Sequence, residues 1–403
     1  MLIILAFAPV FMADHLITLS CDRLETGMYV AELDRSWLHT PFDGPGMLVG
    51  TEEQLAALRR CCHYVYVDPA RSSAEAQPTL AAGPDTLPAV LAAHDDFSIA
   101  RTTLARVVEH LSAAVQEARA HGRMELAPLR RAAAKLVEEV KERPDACLWL
   151  IRLNGASGLL YRRSLGTSIH AILFGQQLGL ENSELRQLAI GGLLLDIGKT
   201  SVPVPILAKP GELNPAERFF INRHVMQGHA MVRLSEGADP RVTDMVLGHH
   251  ERLDGSGYPR HLSGTEIPLF ARIAGIVDTF DALTLNRRYA QGISAHDALR
   301  FLNAERGERF DAALVDEFIH ALGVYPTGTR VELVDGSSGI VCSQNSAWPL
   351  RPTILLTHDS TGERLENPRL LASGMDGHIA RALPPAPPEH PTAALEQAIS
   401  QGS

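Results

Sequence analysis

Five side chains able to bind a cation, Asp196, His224, His249, His250 and Asp278, stand where helical periodicity asks for apolar residues. Between residues 182 and 199 the apolar stripe runs Leu185, Leu188, Ala189, Gly192, and its next member is Asp196. A carboxylate buried there must be paired or bound to a cation, because burying it alone is very costly. The helix predicted from Asn214 puts His224 one turn beyond Phe220, and the helix predicted from Pro240 carries Val242, Met245 and Val246 into the adjacent pair His249 and His250. Ile273, Ala274 and Val277 lead into Asp278, with Asp281 three residues on and close by on the same face. A single buried histidine is more often a satisfied core residue than a ligand. Five hard or borderline ligands on the inner sides of four helices, beside a Gly-rich loop, point instead to a metal site of the kind helical bundles build.

The elements that must position these residues form one all-helical domain over residues 144–322. Asn214-Pro215 followed by Glu217 reads as a helix start: the Asn side chain caps, Pro suits the first helical position and Glu reaches back. Asp239-Pro240 opens another helix in the same way. Ahead of this domain, residues 99–120 and 124–142 carry charge on one side and Leu, Val and Ala on the other, which predicts a helical hairpin or stalk over 98–143. A small α+β module is expected at 13–70, from GMYVAEL at 27–33, HYVYVD at 63–68 and a helix at 51–60. An Ala/Pro/Ser/Gly-rich flexible linker follows at 71–97. After Gly323 the period changes to two, so a small β appendage is expected at 323–382, with a Pro/Ala-rich disordered tail at 383–403. The fold class is thus mainly α, with a small α+β module before the helical domain and a short β-rich appendage after it.

Composition narrows the function classes. In 403 residues, 45% are hydrophobic and 21% charged, which excludes wholesale disorder, a collagen-like repeat and a coiled-coil rod. Lys plus Arg total 37 against 47 for Asp plus Glu, a formal charge of -10, so no duplex nucleic acid is expected as a partner. The five cysteines show no CxxC pair or disulfide spacing, which reads as a reducing, cytoplasmic compartment. The apolar start, residues 1–12, is too short to span a bilayer and has no basic residue before Arg23, so no membrane is expected and Met12 is read as the true start.

Three motifs now agree together: LDIGK at 195–199, HHERLDGSGYP at 249–259 and DTFDALT at 278–284. Over residues 159–322 the chain resembles the HD-GYP domain of bacterial cyclic di-GMP phosphodiesterases. Residues 24–68 resemble a small domain of unknown function often found ahead of it. The resemblance implies an all-α HD-type fold in a signalling protein, with two cations a few Å apart that hydrolyse a 3′–5′ phosphodiester. His and Asp suit Fe, Mn or Zn. Carried over, Asp196 would bridge the metals, His224, His249 and His250 would complete one, and Asp278 would bind the other. Lys199 would meet a phosphate oxygen or the leaving group, Arg287 would grip a substrate phosphate, and the loop with Gly257, Tyr258 and Pro259 would cover the guanine-bearing nucleotide.

Two departures bear on activity. The family's His-Asp pair reads Leu195-Asp196 here, and the family's first histidine falls on Arg163. Neither leucine nor arginine is a plausible ligand. His170 lies seven residues beyond Arg163, about 10 Å of helix, and is read as an ordinary helix residue. Both losses fall on one metal position, so one divalent metal per chain is expected, held by Asp196, His224, His249 and His250. Two readings of Arg163 stand: its guanidinium pairs with Asp278 or Asp196 while Leu195 fills the adjacent volume, or it has drifted and turns to solvent. Two functions stand with them: a phosphodiesterase with weak or absent hydrolysis of cyclic di-GMP or its linear dinucleotide, or an inactive nucleotide sensor or scaffold that docks a partner such as a diguanylate-cyclase domain.

Overall fold

The structure, a computed structural model, describes residues 17–33, 41–42, 46–62, 64–76, 96–153, 159–207, 209, 211–285, 291–344, 352–371 and 378–385. The start at residues 1–16, residues 77–95 of the expected linker and the tail from 386 lie outside them. The chain divides into two compact units, one drawn from residues 1–93 and 332–381, the other from 94–331 and 382–401.

In the first unit, β1 (Ile17–Ser20), β2 (Tyr29–Leu33), β3 (Met47–Leu48) and β4 (Tyr64–Asp68) form a sheet of order β1-β4-β2-β3. Helix α1 (Glu52–Cys61) starts at a capping box between Thr51 and Gln54. Leu19, Leu24, Met28, Val30, Leu58, Val65 and Val67 form the core. Ala76 belongs to the same cluster, and the Ser73 amide donates to Gly27 O at 2.7 Å. The module therefore runs to residue 76, six residues past its expected end at 70, because this polar-looking segment closes the turn at Gly27.

A second sheet, of order β8-β7-β6-β5-β9, comprises β5 (Arg330–Leu333), β6 (Ser338–Ser343), β7 (Thr353–His358), β8 (Arg364–Leu371) and β9 (Ile379–Leu383). The change of period after Gly323 predicts strands here. Pro368 hid β8, and its place on the sheet edge is where proline is tolerated.

The second unit is helical: α2 (Asp96–His121), α3 (Leu126–Glu142), α4 (Pro144–Leu153), α5 (Leu159–Gln177), α6 (Asn182–Leu194), a 3-10 turn (Ile197–Ser201), α7 (Val204–Leu207), α8 (Pro215–Asn222), α9 (His224–Arg233), α10 (Pro240–Gly248), α11 (Leu269–Thr284), α12 (Ala295–Ala304) and α13 (Ala312–Leu322). The α2/α3 hairpin is no projecting stalk. It packs on α5 and α6, burying Leu104, Val107, Leu111, Leu129, Leu136 and Val140.

Two expected helices are shorter than their sequence patterns. The one from Asn214 has the expected cap, with the Glu217 amide donating to Asn214 Oδ1 at 2.9 Å, but it ends at Asn222. Phe220 is 48% exposed, so it is not part of a buried stripe leading to His224. Helix α6 stops at Leu194, ahead of Asp196. Among the described residues no helix is long and apolar enough to cross a membrane.

Candidate metal centre

Four of the five proposed ligands stand at or next to helix ends, and close backbone contacts put them there. Asp196 lies at the junction between α6 and the 3-10 turn, with φ -101° and ψ 14°. Two residues on, a Cβ on Gly198 would lie 1.9 Å from His224 O and 2.5 Å from the Gly228 amide nitrogen. Glycine alone lets the turn rest on the start of α9, which brings Asp196 Oδ1 to 3.3 Å from His224 Nε2. Arg223 closes α8 and precedes α9, so His224 is the first residue of its helix. His249 caps the C-terminus of α10, and His250 follows it.

The hydrogen bonds fix the imidazole tautomers. His224 Nδ1 is 2.7 Å from Ile221 O, and His249 Nδ1 is 3.0 Å from Val246 O. Carbonyl oxygens only accept, so each Nδ1 carries a proton and Nε2 is the nitrogen left to face the cluster. Burial favours the neutral form, lowering His249 to about 4 and His250 well below its usual value. The two Nε2 atoms face each other at 3.4 Å. Asp196 Oδ1, buried, has no hydrogen-bond partner among the described residues.

Three acceptors thus converge where no proton serves them. A four-coordinate ion with metal–nitrogen bonds of about 2.0–2.1 Å holds its donors about 3.4 Å apart, which is the spacing observed. His224, His249 and His250 offer nitrogens that all lie within 4.8 Å of one another. His250 stacks on Tyr258, ring centroids 4.7 Å apart. These residues fit a divalent transition ion, by spacing and by donor chemistry.

The other half of the centre is built differently. From α5, Arg163 Nη2 donates to Asp278 Oδ1 at 2.5 Å, and Arg163 Nε lies 3.4 Å from Asp196 Oδ2. Lys199 Nζ donates to the same Asp196 oxygen at 2.7 Å. Burial works against ionisation of Asp196, but the Lys199 and Arg163 cations outweigh it and hold the carboxyl well below the carboxylate range. Asp278, also buried, is held low chiefly by Arg163. Arg163 in turn is raised, above all by Asp278. Its side chain is 20% exposed, so it does not turn to solvent. Leu195 is buried beside Asp196.

His170 does not reach this cluster. Its Nδ1 is 2.8 Å from Asp281 Oδ1, Thr167 Oγ1 donates to Asp281 Oδ2 at 2.8 Å, and its ring meets Phe280 edge-on. This polar latch registers α5 against α11 within a turn or so of the Arg163–Asp278 pair. Asp281 on the face of Asp278 was its only trace in the sequence.

The glycine-rich loop is held from beneath. A Cβ on Gly257 would meet the backbone of 250–252 at 2.4 Å, and buried Glu251 accepts from the Arg260 and Leu262 amides at 2.8 and 3.1 Å. Tyr258 and Pro259 sit beside His250 on this frame. Arg287 lies outside the described residues.

An HD domain family matches residues 152–314, and a domain of unknown function, DUF3391, matches 16–145, including the α2/α3 hairpin. Over 345 residues the chain is 33% identical to the cyclic di-GMP phosphodiesterase PA4108 of Pseudomonas aeruginosa, covering 82% of this chain and 83% of that protein. It is 39% identical over 205 residues to the cyclic di-GMP phosphodiesterase response regulator RpfG of Xanthomonas campestris, half of each chain. A solved structure, Bd1817, a HDG"Y"P protein from Bdellovibrio bacteriovorus, aligns with 75% of this chain and 98% of its own at TM-score 0.47 and 14% identity.

Proposed function

The chain belongs to the HD-GYP family of cyclic di-GMP phosphodiesterases, and from that premise we propose that it is a cytoplasmic member with an uneven centre, holding one divalent transition metal and hydrolysing cyclic di-GMP weakly or not at all. The observation that carries this reading is Arg163, whose guanidinium lies between Asp278 and Asp196. A guanidinium supplies one positive charge where a second ion would supply two, and it offers no position for water.

His224, His249, His250 and Asp196 would hold the ion. Bound there, it would supply Lewis-acid charge to a phosphoryl oxygen and lower the pKa of a water. Lys199, already paired with Asp196, would meet a phosphate oxygen or the leaving group. Arg163 holds Asp278 ionised and keeps it from acting as a base. Tyr258 and Pro259, on the loop beside His250, would cover the nucleotide, and Arg287 would take a substrate phosphate. Loss of the second ion removes several kcal/mol of charge stabilisation, and each 1.4 kcal/mol is about tenfold in rate.

The pairing of Asp278 and of one Asp196 oxygen with cationic side chains also favours a second reading, in which the pocket senses cyclic di-GMP or docks a diguanylate-cyclase domain without turnover. One comparison tests both. Wild type and the Arg163→His/Leu195→His variant are assayed for cyclic di-GMP turnover, with nucleotide binding followed by calorimetry. The expected result is little or no wild-type turnover and a gain of at least tenfold in the variant. Binding by wild type without turnover would mark the sensor. A robust wild-type rate that the two changes leave alone would overturn the uneven centre.

A further inference from the structure

Arg252, three residues after His249, is half-buried next to the centre and makes no ion pair among the described residues. A charge left in such a place needs a reason. Its Nη1 donates to His249 O at 3.0 Å and to Glu251 O at 2.8 Å, the two carbonyls that flank His250. Its Nη2 lies 3.5 Å from Thr279 Oγ1, on α11 next to Asp278. The guanidinium also covers the face of Phe310 at 4.9 Å.

Room for this arrangement comes from Gly275 of α11, where a Cβ would lie 3.1 Å from His249 O and 3.5 Å from Arg252 Nη1. The last carbonyls of a helix have no intrahelical donor, and a cation there is favoured by the helix dipole. Arg252 therefore caps the end of α10 where the two imidazoles leave it, and braces that end against the helix that carries Asp278.

We infer that Arg252 is a positioning residue that fixes the directions of His249 and His250 toward the metal, acting through the backbone carbonyls on either side of His250. This rests on the reading that His224, His249 and His250 hold an ion. Arginine suits the task because its planar fork reaches two carbonyls and the neighbouring helix at once, whereas the lysine ammonium is a point charge.

The test is a cobalt(II) titration of the full chain, after chelation, reading the visible d–d band and the dissociation constant for wild type, Arg252→Met, Arg252→Lys and His224→Ala. Thermal unfolding of each metal-free protein is measured alongside. Arg252→Met is expected to weaken cobalt binding about 10- to 100-fold, the range for lost supporting contacts around ligands, and to shift the band. Arg252→Lys should recover part of both. If Arg252→Met does not fold, Arg252→Lys alone decides, with weaker binding and a shifted band expected. Wild-type affinity and band in whichever of these variants folds would overturn the inference while leaving the three-imidazole reading intact. A wild-type cobalt signal that His224→Ala leaves unchanged would overturn that reading and this inference with it.

Discussion

At the scale of single residues, the centre is a balance of buried charges. Asp196 and Asp278 are ionised, Lys199 and Arg163 oppose them, and burial favours the neutral form of His249 and His250. Removing one partner of such a pair leaves an uncompensated buried charge, which costs about 3–5 kcal/mol. Arg163→Met in chelated protein is expected to lose that much in urea unfolding, and adding Asp278→Asn should return part of it. An Arg163→Met variant within about 1 kcal/mol of wild type would show that the pairing carries little. The proposed ligands stood out in the sequence as ionisable groups near apolar stripes, although the stripe through Phe220 does not lead to His224, because that helix ends at Asn222. The choice between a paired and a solvent-facing Arg163 was not legible there, since it depends on Asp278, 115 positions away. The latch of Thr167, His170 and Asp281 escaped for the same reason: a histidine on an amphipathic helix looks the same whether it meets solvent or a carboxylate.

At the scale of elements, helix ends position the site more than helix faces do. Continuous helices through Asp196 and from Asn214 to His224 are what periodicity suggests, yet both break, because tertiary contact at Gly198 ends one turn against the start of another. Propensity cannot register a backbone approach between segments about 25 residues apart. Gly198→Ala would drive a Cβ into the His224 carbonyl, and overpacking of this kind costs about 1–3 kcal/mol or more. The expected outcome is a lower melting temperature together with metal binding weakened at least tenfold. Gly50→Ala, whose Cβ would meet only the Gln54 side chain at 3.7 Å, should change neither. Equal metal affinity in Gly198→Ala and wild type would refute this account of how Asp196 reaches His224.

For the whole molecule, the segments before residue 94 and over 332–381 share one unit, which no local pattern could reveal. Alternation marked the strands on both sides of the helical domain but said nothing of their partners. Within that unit the Tyr66 hydroxyl and Thr353 Oγ1 form a buried hydrogen bond of 2.8 Å between segments 287 positions apart. A double-mutant cycle with Tyr66→Phe and Thr353→Val should give a coupling of about 0.5–1.5 kcal/mol, the usual net worth of such a bond. Strict additivity would separate the two segments energetically.

The uneven centre is tested most directly by counting ions. Elemental analysis of the purified full chain, repeated after chelation and reloading with manganese, iron or zinc, is expected to give one equivalent per chain, abolished by His249→Ala and rising toward two in Arg163→His/Leu195→His. Two equivalents in the wild type would contradict the assignment of Arg163 as the counter-charge that stands in for the second metal.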